Sequence, residues 1–187
     1  MKKILAAALL SVAAAPAFAA DTGFYVGVDV GRSSTGGIAG VALSQSTDTV
    51  GGVLAGYQVN KNFAVEAFFT GAGKFAGTGG GRAITGKADV WGADAVGLLP
   101  LSDAFSLYGK LGYASTKTSA SSAPAGLTDA TRNDVTYGVG GQYNATPAIG
   151  VRLGWDHYGA AVTGATAAGS KDNFDAGVWS LGAVFKF

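Results

Sequence analysis

The sequence predicts an all-β fold, an eight-stranded antiparallel up-and-down transmembrane β-barrel, and three observations carry that expectation. Apolar side chains alternate with small or polar ones through eight short segments. Short polar turns alternate with long Gly/Ser/Thr/Ala-rich stretches between those segments, and the chain stops on an aromatic. Successive side chains of a strand point to opposite faces, so each segment has one apolar face. Mean hydropathy is positive, at +0.29, and only 13% of residues are charged. No apolar stretch after residue 20 is nevertheless long enough for a membrane helix. In lipid every backbone group must be hydrogen-bonded within the protein, so a membrane sheet has to close on itself. A soluble barrel or sandwich would also alternate, but it would carry a charged outer face.

The strands follow in order. Gly23 to Arg32 places Phe24, Val26, Val28 and Val30 on one face and Tyr25, Gly27, Asp29 and Gly31 on the other. Val50 to Val59 turns Val53, Ala55, Tyr57 and Val59 outward, and Asn60-Lys61-Asn62 reverses the chain into a strand with Phe63, Val65, Ala67 and Phe69 outward. Lys87 to Leu99 meets Phe105 to Ala114 across Pro100-Leu101-Ser102-Asp103. Val135 to Asn144 meets Ala148 to Tyr158 across Ala145-Thr146-Pro147, and Phe174 to Phe187 completes the set. The four long connections are Ser33 to Thr49, Gly71 to Gly86, Ser115 to Asp134 and Gly159 to Asn173. Short turns on the periplasmic side and long loops outside put both chain ends in the periplasm. Tyr57, Phe63, Leu99, Phe105, Ile149 and Phe187 then form a membrane belt beside the short turns, with Trp91, Tyr113, Trp155 and Trp179 toward the other border or mid-membrane.

Residues 1–19 read as a cleaved signal peptide, leaving 20–187 as one barrel domain. Lys2 and Lys3 precede an apolar run from Ile4 to Ala15, and Ala17-Phe18-Ala19 has the small-x-small form of a cleavage site. The chain has no Cys, hence no lipid-acylated Cys, disulfide or thiolate chemistry. A net charge of +1 gives no reason to expect nucleic acid. One His and no Cys cannot supply an ordinary transition-metal site, and no cofactor is expected. Gly79-Gly80-Gly81-Arg82 and Gly36-Gly37 fall in loops, not between a strand and a helix, so they do not read as phosphate-binding loops.

Further residues carry a family likeness. The final strand, with Trp179, Leu181, Ala183, Phe185 and Phe187 on one face, resembles the C-terminal assembly signal of bacterial outer-membrane barrels. Phe24-Tyr25-Val26-Gly27, Tyr57-Gln58-Val59-Asn60 with Glu66, Lys110-Leu111-Gly112, Gly141-Gln142-Tyr143, Thr146-Pro147, Arg152-Leu153, Ser180-Leu181-Gly182 and Phe185-Lys186-Phe187 resemble the transmembrane domain of the OmpA family. That resemblance spans the mature chain through its strands and turns. It leaves no residues for the peptidoglycan-binding domain of many relatives, and it implies a short surface protein of the outer membrane. It further implies envelope integrity and adhesion or recognition through the loops. The implied partners are outer-membrane lipids including lipopolysaccharide, the barrel assembly machinery, periplasmic chaperones and an extracellular ligand of unknown identity, on a monomeric barrel.

Alternation turns Asp29, Glu66, Asp94, Lys110, Gln142, Arg152 and Asp156 away from lipid. A buried charge without a partner costs several kcal/mol, so these residues are expected to pair. In resembling proteins such residues plug the lumen. Here Asp29 stands where that family usually has Lys, and Gln142 replaces an acid, which implies a rewired pairing with Arg152 between Asp29 and Glu66. An eight-stranded lumen is too narrow for a continuous pore, and the alternative is a small gated or leaky channel that opens when Arg152 changes partner. A third class, a lipid-modifying enzyme, needs nucleophile, base and acid within mutual reach. His157 is the only histidine, Asp156 beside it faces the other way, and no catalytic residue is assigned.

Overall fold

The computed structural model of the chain describes residues 22–38, 41–79, 82–123, 129–163 and 171–187. The expected signal peptide lies outside the described residues. The strands are β1 (Gly23–Thr35), β2 (Ala42–Gln45), β3 (Thr47–Asn60), β4 (Phe63–Gly79), β5 (Arg82–Pro100), β6 (Phe105–Ala123), β7 (Ala130–Asn144), β8 (Ile149–Thr163) and β9 (Lys171–Lys186). Eight of them, all but β2, form a closed antiparallel barrel in which each pairs with its neighbours in sequence. Closure comes from β1 against β9, from Tyr25↔Lys186 to Thr35↔Ala176. The Phe187 amide adds a bond of 3.0 Å to the Phe24 carbonyl. Because each of the eight strands pairs on both sides, the barrel can satisfy its backbone in lipid.

Side-chain acceptors close the three tight turns. Asn60 Oδ1 accepts from the amides of Asn62 and Phe63 at 2.8 and 2.9 Å. Ser102 Oγ accepts from the Phe105 amide at 3.1 Å, and Thr146 Oγ1 from that of Ile149 at 2.9 Å. Asn, Ser and Thr favour turns through such local bonds. The second turn sits one residue later than expected, at 101–104, because Pro100 ends β5, and the third begins as expected but runs one residue longer, at 145–148.

At the opposite end the strands outlast their apolar alternation. Stretches expected as loops are largely ladder: β4 and β5 pair through Gly71–Gly86 as far as Gly79↔Arg82, and β5 and β6 as far as Ala83↔Ala123. Backbone pairing asks nothing of side-chain polarity, and Thr suits a pleated sheet. Thr116 and Thr118 are buried inside while Lys117 and Ser119 face out, so the period of two persists above the membrane. The first connection holds β2, which pairs with β4 at Ala42↔Thr78. A bulge between Gly71 and Gly73 redirects β4 there, and Gly73 has φ +93°, a conformation that needs glycine.

Apolar side chains cover the outer wall around the whole barrel, among them Val28, Val53, Phe69, Trp91, Leu111, Val139, Leu153 and Leu181. Tyr57, Phe63, Leu99, Phe105 and Ile149 are exposed on that wall near the short turns. Trp179, Leu181 and Ala183 also point outward, with Phe185 and Phe187 half-buried below them.

Candidate functional site

The lumen is layered. In its middle lies a polar layer that collects the seven inward residues expected from parity. Asp94, Glu66, Asp156, Arg152 and Gln142 are buried there. Arg152 pairs with Glu66, and its Nε donates to Gln142 Oε1 at 2.7 Å. Gln142 Nε2 donates to Asn144 Oδ1 at 2.7 Å. Lys110 pairs with Asp156 at 2.8 Å. Asp94 keeps one carboxylate oxygen without a hydrogen-bond partner among the described residues.

The expected placement of Arg152 between Asp29 and Glu66 is corrected by this geometry. Tyr25 Oη donates to Glu66 Oε1 at 2.6 Å, and the guanidinium lies 5.2 Å from the Tyr25 ring centre and 5.3 Å from that of Tyr108. The two rings hold the cation toward the short-turn end. Asp29, four residues farther along β1, lies instead over Gly52 and Gly182. Tyr25, Tyr108 and Asn144 join the site without having been singled out from sequence. Parity had put Tyr25 on the inner face, but an aromatic there does not announce its partner.

Glycines make the room. Asp29 stands opposite Gly52 and Gly182, Glu66 opposite Gly56, Asp94 opposite Gly112, and Lys110 and Asp156 both opposite Gly138. A Cβ at Gly138 would sit 2.2 Å from Asp156 Oδ1, and one at Gly56 would sit 2.3 Å from the Tyr25 ring. Real contacts of that length do not occur, so the glycine content serves a crowded interior.

Above the polar layer apolar side chains predominate, with buried Ser33, Thr70, Thr116 and Thr118 among them. Val50, Ala72, Ala88, Val90, Ala114, Tyr158, Ala176 and Val178 form one cluster. Ile38, Phe75, Ile84, Ala160 and Phe174 form another, in which the Phe75 and Phe174 rings meet at 5.6 Å from non-adjacent strands. Below the polar layer, a vestibule of about 480 Å³ near the short turns is lined by Gln58, Leu98, Ser106, Gln142 and Asn144, among others. The cavity within the layer itself, touched by Asp29, Glu66, Lys110, Arg152 and Asp156, measures about 40 Å³. That volume suits water and not a sugar or amino acid.

His157 faces outward, stacked on Tyr137 at 4.7 Å, with Asp175 Oδ1 at 3.7 Å from Nε2. Asp156 points the opposite way, to Lys110, as alternation requires. Among the described residues no Ser or Thr hydroxyl bonds to the imidazole, and no group of acidic, His or Cys side chains could hold a metal ion. Beyond Tyr137↔His157 the β7–β8 ladder stops. Arg132 bridges the gap, donating from Nη1 to the carbonyls of Ala160 and Phe174 at 3.1 Å each and pairing with Asp134.

Comparison with known proteins agrees with this architecture. Neisserial surface protein A aligns at TM-score 0.57 and 18% identity, covering 88% of this chain and 97% of its own. Ail, the attachment invasion locus protein of Yersinia pestis, aligns at 0.52 and 18%, covering 88% and 99%. OprG from Pseudomonas aeruginosa aligns at 0.57 and 15%, covering 90% and 97%. These likenesses show the fold. No curated protein matches the chain in sequence. The model of the outer membrane protein beta-barrel domain matches residues 5–187, and the chain therefore belongs to that family of outer-membrane barrels.

Proposed function

We propose that this barrel serves the outer membrane as a structural and surface-recognition protein, contributing to envelope integrity and to adhesion or recognition through its outer strands and connections. The observation that carries this reading is the layered lumen: two apolar clusters lie between the polar layer and the outer end. Ions and polar solutes do not cross such a layer without a large cost in solvation. One structural neighbour is named as an attachment protein and is seen with a heparin analogue, which supports a surface role. The closing strand, through Trp179, Leu181, Ala183, Phe185 and Phe187, would be read by periplasmic chaperones and the assembly machinery during biogenesis.

The competing reading is a gated or leaky pore in which Arg152 exchanges partners. Planar-bilayer recording on purified, folded protein separates the two. The surface reading predicts no stepwise conductance from the wild type or from Arg152→Ala, and regular steps in either would replace it with the pore. Deleting the connection around 124–128 should reduce binding to host cells or matrix while leaving the barrel folded. Unchanged binding would remove adhesion from that segment.

A further inference from the structure

The outer ends of β4, β5 and β6 place lysines where the fold gives no reason for them. Lys74 and Lys87 stand directly opposite each other in the ladder, on the outward face. Like charges facing across a ladder are destabilising. Lys117, one strand farther, stands opposite Asp89 on the same face. Asp89 accepts from Lys87 Nζ at 2.9 Å, and Lys74 and Lys117 have no ion-pair partner among the described residues. Nearby, Asp48 takes the Lys74 backbone amide at 3.0 Å, and Asp129 bonds Ser119 at 3.4 Å. Three cations thus share one face on which, among the described residues, Asp89 forms an ion pair with Lys87, while the carboxylates of Asp48 and Asp129 bond to a backbone amide and a hydroxyl.

Depth identifies what meets them. Trp91 and Tyr113 are exposed on the same outer face, Trp91 four residues below Lys87 and Tyr113 four below Lys117. Aromatic girdles mark the membrane borders of such barrels. Four residues of a strand tilted by about 40° rise roughly 10 Å, so the lysines lie one headgroup layer above the girdle. They face sideways, across the membrane surface, and not into the barrel mouth.

We propose that Lys74, Lys87 and Lys117 form a binding site for the phosphate groups of an anionic, phosphorylated glycolipid of the outer leaflet, the chemistry of a lipid A headgroup. Its acyl chains lie along the apolar wall of β4 to β6, where Phe69, Trp91, Leu111 and Tyr113 are exposed. The phosphates relieve the repulsion between Lys74 and Lys87 that the protein leaves in place. Lys61, on a periplasmic turn, lies at the other end of the barrel and takes no part.

The test measures binding of purified, folded barrel to nanodiscs of phosphatidylcholine doped with lipid A, with dephosphorylated lipid A, or undoped. Heat-modifiable gel migration confirms that each variant is folded. Near a charged surface each lysine is worth about fivefold in affinity. Lys74→Ala with Lys87→Ala and Lys117→Ala is therefore expected to weaken lipid A binding about 100-fold, whereas Lys117→Arg and Lys61→Ala leave it unchanged. Dephosphorylated lipid A should bind no better than undoped lipid. Equal binding of phosphorylated and dephosphorylated lipid A overturns the proposal, as does an unweakened triple variant. Preference for a soluble sulfated oligosaccharide over lipid A would also overturn it, making the patch a glycan site.

Discussion

Arg152 is the residue on which the interior turns, because its guanidinium answers Glu66 and Gln142 and packs against Tyr25 and Tyr108. Arg152→Ala leaves Glu66 buried without its cation, and we predict a loss of about 3–5 kcal/mol in urea unfolding of the membrane-inserted protein. Replacing both partners together, Glu66→Gln with Arg152→Met, should cost less than Arg152→Ala alone; a larger loss in the double variant would show that the pair itself, not the orphaned charge, dominates. Glycines offer an independent check. A Cβ at Gly154 would fall 2.2 Å from the Tyr108 hydroxyl, so Gly154→Ala is expected to destabilise by about 1–3 kcal/mol through overpacking. A neutral Gly154→Ala would show that Tyr108 relocates freely. Period-two alternation made the inward direction of the polar layer's charges legible in the sequence. Their partners were not, because pairing joins β4 to β8 across the lumen, and linear spacing says nothing about which side chains converge there.

Among the strands, the apolar outer faces decide depth. Leu111 is 62% exposed on the outer wall of β6, near mid-membrane. Leu111→Arg is predicted to cost about 2–4 kcal/mol, falling toward zero for the same change at exposed Thr47, beyond the girdle. Equal costs at the two positions would mean that the wall is not graded by lipid. The closing strand is expected to matter first for assembly. Removing Phe187 should lower the folded fraction in cells, read as the heat-modifiable band, more than it lowers the unfolding free energy of protein refolded in vitro. Strand identity and the three tight turns were readable from alternation and from Asn, Ser and Thr at the reversals. The outward extent of the strands was not. Beyond residue 115, β6 swaps apolar side chains for Ser and Thr, which resemble a loop in composition yet keep the ladder. Nor was β2 visible, since it depends on the Gly71–Gly73 bulge that bends β4 toward it.

As a whole, the molecule combines a lipid-facing wall with a layered interior: a vestibule at the short turns, a charged middle and a mainly apolar outer lumen. An eight-stranded barrel has just enough interior for side chains to fill, and this chain fills it with charges backed by glycines. On the proposed reading, function lies at the outer surface and in contacts with lipid. Composition contributed to this class only together with alternation, because the apolar residues behind the positive hydropathy are spread through short segments with one apolar face each. The most direct test of a closed barrel in the outer membrane is gel migration of the protein from fractionated cells, unheated and boiled. A closed barrel predicts an outer-membrane protein that runs as a compact, faster band unheated and shifts to its full apparent mass after boiling. A soluble protein whose migration boiling does not change would contradict it.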